Sequence, residues 1–284
     1  MATLVATRKS PLALRQAELV CARLKKHGFT SETQLLPLTT EVDKRLEWSL
    51  EKRGGLGLFT KELEDALLAN KATLAVHSAK DLPTELPEGL TLAGFLPRAN
   101  PRDILVVRSG ETDGIRSIAT SSPRRRQQLK ERFPHAEWKT LRGNVETRLR
   151  KIKNGEADAT VLAAAGLERL GIDQYEGLSF ETLSIDSMVP APGQAAIAIQ
   201  CRSERSSEFK SFFCSRTAQA VELERSFLRG LGSGCQIPVG AHFRDGSFYI
   251  YHPDCGFSTI DLELPTLELA QATANALISK LNLK

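Results

Sequence analysis

Short apolar runs alternate along this chain with longer stretches in which apolar residues recur every third or fourth position. Thr3-Leu4-Val5-Ala6-Thr7 reads as a buried strand, after which Ser10 caps and Pro11 opens a helix running through Leu14, Ala17 and Cys21 to a stop at Gly28. A second strand is predicted over Gln34 to Leu38, then a glycine-rich loop over Gly54 to Gly57. A helix follows over Phe59 to Asn70, with Leu63, Leu67 and Leu68 on one face. Ala72 to Val76 reads as a third strand and ends at His77-Ser78-Ala79-Lys80-Asp81-Leu82-Pro83. Strands separated by helices at this spacing predict a mostly parallel sheet.

The pattern restarts after Pro101. Ile104 to Val107 and Ser117 to Thr120 read as strands, the latter running into Ser121-Ser122-Pro123, where serine again caps and proline opens a helix. Trp138 to Leu141 and Ala159 to Ala164 are predicted strands, with a helix over Asn144 to Lys153 between them. Pro190-Ala191-Pro192-Gly193-Gln194 makes a rigid turn, and the apolar run Ala195 to Gln200 is expected to return to the first lobe. A helix over Ala218 to Leu228 precedes short strands (Val239 to Phe243, Phe248 to Tyr251, Thr259 to Leu264) and a last helix, Thr266 to Leu281. The expected organisation is α/β. One lobe is formed by residues 1–97 with 193–214, a similar second lobe by 98–192, and a small α+β C-terminal domain by 215–284.

Composition narrows the function classes. With 284 residues, 41% hydrophobic and 25% charged, the chain suits a globular protein of two or three domains, and no apolar run approaches the length of a membrane span. Met1 to Leu14 carries Arg8 and Lys9 and lacks the uninterrupted apolar core of a signal peptide. Five cysteines without metal-ligand spacing point to reduced thiols in a cytoplasmic compartment. The net charge is only +4, but Arg98 to Lys153 holds fifteen Lys/Arg against six Asp/Glu. Such a block seeks an anionic partner. Aromatics are 6% and none interleaves the densest arginines, so a nucleic-acid partner is not expected, and a polycarboxylate or phosphate ligand fits better.

Several residues are candidates for chemistry. Cys235 lies in Gly232-Ser233-Gly234-Cys235-Gln236, where it either closes a turn or presents its sulfur from between glycines. Arg124 and Arg125 stand in the first turn of a helix, opposing its dipole, a conflict that a bound anion would resolve. Arg142, before Gly143-Asn144, and Arg148, one turn into the next helix, extend the basic edge, and Arg8 occupies the matching edge of the first lobe. Arginine's planar fork suits carboxylates. Lys80-Asp81 lies at a strand's C-terminal end, where open α/β sheets bind ligands. Asp81 is either a turn former before Leu82-Pro83 or a carboxylate able to stabilise a developing cation. His77 reads as a packed histidine.

Seven ordered segments together resemble the hydroxymethylbilane synthase (porphobilinogen deaminase) family over nearly the whole chain. They are Thr7-Arg8-Lys9-Ser10-Pro11-Leu12-Ala13-Leu14, Gly57-Leu58-Phe59-Thr60-Lys61-Glu62-Leu63-Glu64, Val76-His77-Ser78-Ala79-Lys80-Asp81-Leu82-Pro83 and Thr120-Ser121-Ser122-Pro123-Arg124-Arg125. Leu141-Arg142-Gly143-Asn144-Val145-Glu146-Thr147-Arg148-Leu149, Ala165-Gly166-Leu167-Glu168-Arg169-Leu170-Gly171 and Gly234-Cys235-Gln236-Ile237-Pro238-Val239-Gly240 complete the set. The resemblance implies two periplasmic-binding-protein-like lobes plus the small third domain, in a cytoplasmic, monomeric transferase of haem-type tetrapyrrole biosynthesis with no metal and no membrane partner. It implies a dipyrromethane cofactor held by Cys235, onto which four porphobilinogen units are joined with loss of ammonia. It also implies Asp81 and Lys80 as catalytic residues. Arg8, Ser10, Phe59, Ser78, Lys80, Thr120, Ser121, Ser122, Arg124, Arg125, Arg142, Gly143, Arg148, Arg169 and Gln194 are then the cofactor and substrate contacts. Three positions depart from the family pattern: Ala195 stands where glycine is usual, Leu56 where lysine is frequent, and Pro123 replaces an aliphatic residue. A non-catalytic two-lobed carboxylate- or phosphate-binding protein is the alternative, and it leaves Cys235 and Asp81 without roles.

Overall fold

The computed structural model describes residues 2–40, 60–110, 114–232 and 238–283. In the first lobe, β1 (Thr3–Arg8) feeds α1 (Pro11–Lys26), followed by β2 (Thr33–Leu38), α2 (Lys61–Leu68), β3 (Leu74–Ser78) and β4 (Leu90–Phe95). The chain then crosses to the second lobe, which contains β5 (Asp103–Arg108), β6 (Ser117–Ala119), α3 (Pro123–Leu129), β7 (Glu137–Lys139), α4 (Val145–Lys153), β8 (Ala159–Ala163), α5 (Ala164–Arg169) and β9 (Leu178–Thr182). It crosses back into β10 (Ile197–Arg202) of the first sheet. The last part holds α6 (Ser215–Gly230), β11 (Gly240–Arg244), β12 (Ser247–His252), β13 (Gly256–Asp261) and α7 (Ala270–Lys280).

Strand alternation sends successive residues of one strand to opposite faces of the sheet. Val5, Leu74 and Val76 therefore pack under Ala17, Val20 and Leu24 of α1, while Ala6 and Ala75 meet Leu63 and Leu67 of α2. Ser10 starts α1 by accepting from the Ala13 amide at 3.3 Å, and Pro11 occupies the first turn, where its missing N–H costs nothing. The second lobe repeats the scheme. Leu105, Ile118 and Val161 lie on one face, and Val106 and Leu162 lie on the other with Leu149 of α4.

The two five-stranded sheets share one plan, β2-β1-β3-β10-β4 and β7-β6-β8-β5-β9. In each, two pairings are parallel and two antiparallel, so the mostly parallel sheet expected from the sequence is in fact mixed. The reason is topological. β1 and β3 end at the sheet edge that holds Arg8 and Ser78, whereas β10 enters from the crossing at that edge, opposite Ser78, and runs away from it. β5 does the same in the second lobe. The strands β4 and β9, which the hydrophobic pattern does not announce, are the outer strands that each antiparallel newcomer pairs with. The C-terminal helix begins at Ala270, later than Thr266 as expected. Helix α6 begins at Ser215, earlier than expected, and packs with α7 against the β11-β12-β13 meander through Leu223, Phe227, Phe248 and Ile250.

Candidate active site

The C-terminal ends of β1 and β3 deliver Arg8, Ser10, Ser78, Lys80 and Asp81 to one edge of the first lobe. Arg8, Ser10, Ser78 and Asp81 line a common cavity there with Gln16, Thr60 and His77. Ser78 is tied down by α1, because its Oγ accepts from Gln16 Nε2 at 2.9 Å and lies 3.3 Å from Gln16 Oε1. Lys80 and Asp81 sit in a short 3₁₀ turn directly after β3. Gly193 presses on that turn from the second crossing: a Cβ there would lie 3.1 Å from the Ala79 carbonyl carbon and 3.2 Å from the Lys80 nitrogen.

The second lobe faces this edge with its own strand ends. Thr120 is buried and its Oγ1 accepts from the Ser122 amide at 3.2 Å; Ser121 donates to the Leu141 carbonyl at 3.1 Å; Ser122 caps α3 through the Arg125 amide at 3.4 Å. Arg142 precedes Gly143, whose φ of +117° and contact with Thr147, 2.7 Å from a would-be Cβ, require glycine. Arg148 is braced by its Nε donating to the Gly143 carbonyl at 2.8 Å. Arg169 reaches the Ala195 carbonyl at 2.6 Å and so ties α5 to the crossing rather than standing with the other arginines. Gln194 is buried in that crossing and donates to the Pro101 carbonyl at 2.7 Å and to Asp103 at 3.1 Å.

For Arg124 and Arg125 the anion expected to resolve their conflict with the helix dipole is supplied by the protein itself. Asp103, fully buried at the start of β5, takes Arg124 at 2.8 Å and Arg125 at 2.7 Å. The remaining donors go to the Val189 and Val161 carbonyls at 2.8 Å, and of the nitrogens of these two guanidinium groups Arg124 Nε is the one without a partner among the described residues. Burial pushes the Asp103 carboxyl up, but Arg124, then Arg125 and Lys80, outweigh it and hold it at about 2. The same burial lowers Arg124. Sequence reasoning missed Asp103, and its place at a strand start, as one of six acidic residues in the basic block, was the available signal.

The charges are coupled across the cleft. Burial, with Arg125 adding to it, brings Lys80 down to about 8, while Asp81 and Asp103 oppose the shift. Burial brings Arg148 down to about 10, with Arg125 and Arg142 adding to it and Asp81 opposing. Arg169 also falls to about 10, through burial, with Glu168 opposing. Lys80 and Asp81 of one lobe thus feel Arg125 and Arg148 of the other. Crowded cations that depress one another are relieved by anions, so the donor set fits a molecule rich in carboxylates. Cys235 and Phe59 lie outside the described residues. The four described cysteines are all unpaired, and no group of described residues has metal-ligand clustering.

Comparison with known proteins adds the following. Residues 3–210 match the family model described as "Porphobilinogen deaminase, dipyromethane cofactor binding domain", and residues 218–251 match "Porphobilinogen deaminase, C-terminal domain". The porphobilinogen deaminase of Thiobacillus denitrificans is 40% identical over 291 residues, covering 98% of this chain and 94% of that protein. That of Syntrophotalea carbinolica is 46% identical over 84% of this chain and 77% of its own length. Among solved structures, an ABC transporter from Parabacteroides distasonis aligns at TM-score 0.46 and 12% identity, over 74% of this chain and 70% of that one. The two-lobe architecture rests on the matching strand orders, not on that distant likeness.

Proposed function

Because the chain belongs to the porphobilinogen deaminase family, we propose that the Lys80-Asp81 turn and the arginines facing it form its reaction site. The protein is a transferase that polymerises porphobilinogen to hydroxymethylbilane, and it carries the family's dipyrromethane-binding domain. What supports the assignment of residues is the cavity shared by Arg8, Ser10, Ser78 and Asp81, with Lys80 in the same turn as Asp81 and Arg125 and Arg148 close enough to bear on their charges.

Dipyrromethane, when bound, supplies the pyrrole carbon to which new units are added. Cys235 is the residue proposed to hold it. Arg8, Ser10, Lys80, Ser122, Arg142 and Arg148 are the residues proposed to meet acetate and propionate groups, Lys80 remaining mainly protonated at pH 7. Asp81 has the charge needed beside the cation left when ammonia departs from the substrate, where a fixed carboxylate stabilises charge without reorganising. Arg124 and Arg125 contribute mainly as a buried field, since Asp103 and main-chain carbonyls already occupy their donors. A cytoplasmic monomer without a nucleic-acid partner completes the proposal; it is supported by unpaired cysteines and the shortage of aromatics, and light scattering tests its size.

Two variants test the site. Asp81→Asn keeps the circular dichroism of the parent while kcat falls by about 10²–10³-fold or more. Near-parental kcat would reduce Asp81 to a turn residue. Cys235→Ser gives folded protein with neither the covalent adduct by intact mass nor activity, whereas Cys255→Ser keeps both, since a hydroxyl is a far weaker nucleophile than a thiolate. An adduct found on the Cys255 peptide would refute the attachment site.

A further inference from the structure

We propose that His77 binds the substrate directly: its Nδ1 accepts a hydrogen bond from the aminomethyl ammonium of the incoming porphobilinogen and seats that leaving group beside Asp81. The inference rests on the reading of the Asp81 cleft given above and adds a residue to it that the sequence alone had assigned to packing.

The cavity shared by His77, Asp81, Ser78, Gln16, Thr60 and Arg8 measures about 90 Å³. A water needs roughly 10–15 Å³ measured this way, so the space has room for a polar group such as an ammonium. Arg8 suits a carboxylate. A cation entering the same space must be met by acceptors, and His77 and Asp81 are the groups able to supply them along with the hydroxyls.

A buried chain of hydrogen bonds fixes which nitrogen of His77 is the acceptor. Thr60 Oγ1 donates to Glu64 Oε2 at 3.1 Å, and Gln200 Nε2 donates to Glu64 Oε1 at 3.2 Å. A carboxylate only accepts, so the Gln200 amide must turn its NH₂ toward Glu64 and its oxygen toward His77. His77 Nε2 lies 3.0 Å from that oxygen and must therefore carry the proton. Nδ1 is left with its lone pair, as the acceptor nitrogen of a neutral imidazole. Burial, partly opposed by the Gln200 bond, lowers His77 to about 4, so the ring is neutral at pH 7 and does not repel an ammonium. Gln200 on β10, held in turn by Glu64 of α2, thus keeps the imidazole in one tautomer, and His77 lines the same cavity as Asp81.

In the reaction the C–N bond of the aminomethyl group breaks with its electron pair on nitrogen. Ammonia leaves neutral and the positive charge passes to the pyrrole. A contact matched to the ammonium is strongest before that step, so it acts on binding and discrimination rather than on the rate of bond breaking.

Glutamine and asparagine separate the two nitrogens. His77→Gln keeps a donor toward Gln200 and lacks an acceptor in the Nδ1 position; His77→Asn keeps an acceptor there and gives up the Gln200 bond. Steady-state kinetics on the dipyrromethane-loaded enzyme compare porphobilinogen with the pyrrole bearing hydroxymethyl in place of aminomethyl. His77→Gln is expected to raise KM for porphobilinogen by about tenfold to a hundredfold with kcat within about threefold, the size of a lost bond to a charged group. Its KM for the uncharged analogue rises by no more than about threefold, and His77→Asn holds both KM values within about threefold. Equal rises on both substrates, an unchanged KM in His77→Gln, or loss of the aminomethyl preference in His77→Asn would each overturn the proposal. Should the glutamine variant not fold, the asparagine variant decides alone. Parental protein with no adduct and no turnover would instead overturn the assignment of the cleft, a separate result.

Discussion

Ala195 shows how a single departure from the family's residue choice acts physically. Its φ is +67°, in the left-handed region, where a β-carbon crowds the following carbonyl. The strain is held in place because the Ala195 carbonyl accepts Arg169 and the residue is buried. Ala195→Gly removes the clash and adds freedom to the unfolded chain, with a net stabilisation of about 0.5–1 kcal/mol. The thermal midpoint should rise by roughly 1–4 °C; a lower midpoint would mean that Ala195 packing outweighs its backbone strain. Gly193, two residues earlier, works in the opposite sense. With φ of +72° and the Lys80 nitrogen 3.2 Å from any Cβ, Gly193→Ala must shift the turn that carries Asp81. It should cost about 1–2 kcal/mol in stability and lower kcat/KM by roughly tenfold or more. A drop in melting temperature with unchanged kinetics would separate packing from positioning.

Elements are joined by two buried ionic centres. Asp103 on β5 binds two arginines of α3. Glu224 on α6, fully buried, accepts Arg98 at 2.6 and 2.9 Å, the Gly193 amide at 2.8 Å and the Phe243 amide at 2.8 Å. Burial raises the Glu224 carboxyl, but Arg98 and then His242 bring it to about 2. Both carboxyls thus lie below their unfolded values near 4. Their contribution is present above pH 5 and is lost as pH falls toward 2, because the unfolded chain takes up protons first. His77, lowered to about 4 by burial, has the same sign over a higher window: the unfolded ring protonates below about 6.5, so stability declines from there down to pH 4. The melting temperature should therefore fall gently from pH 7 to 5 and steeply below. Glu224→Gln leaves Arg98 without its counter-ion and should destabilise by about 3–5 kcal/mol in urea unfolding at pH 7. It should also flatten the acid limb, and an unchanged limb would mean that Glu224 does not govern it.

At the scale of the molecule, Glu224 gathers both crossings and the C-terminal domain. Arg98 belongs to the first crossing, Gly193 to the second, and Phe243 to β11. Arg98 Nε also donates to the Gln194 carbonyl at 2.9 Å, and the Gln194 side chain reaches Asp103 of the second lobe. Continuous buried contacts of this kind couple the three parts. Thermal unfolding followed by near- and far-ultraviolet circular dichroism is expected to give one coincident transition in the parent and two in Glu224→Gln. Coincident transitions in that variant would mean that apolar packing, not the junction, couples the domains.

Much was legible in the chain itself. Local rules of capping, proline placement and periodicity placed α1, α3, β1 and β6, because helix starts depend on a few adjacent residues: Ser10-Pro11 and Ser122-Pro123 both behave as read. The ordered motifs named the family, and Lys80, Asp81 and Arg142 could be picked out because their charges stand at predicted strand ends, Arg148 because it stands one turn into the helix that follows. Direction and partnership were not legible. The reversed strands β5 and β10 follow from where the chain re-enters each sheet, and the edge strands β4 and β9 exist only by pairing with them. Asp103 as the counter-ion of Arg124 and Arg125, Glu224 as a three-way junction, and the proton position on His77 each depend on residues brought from 19 to 136 positions away. Sequence fixes which groups can donate, accept or carry charge; only packing, which removes competing water, decides which partner each one takes.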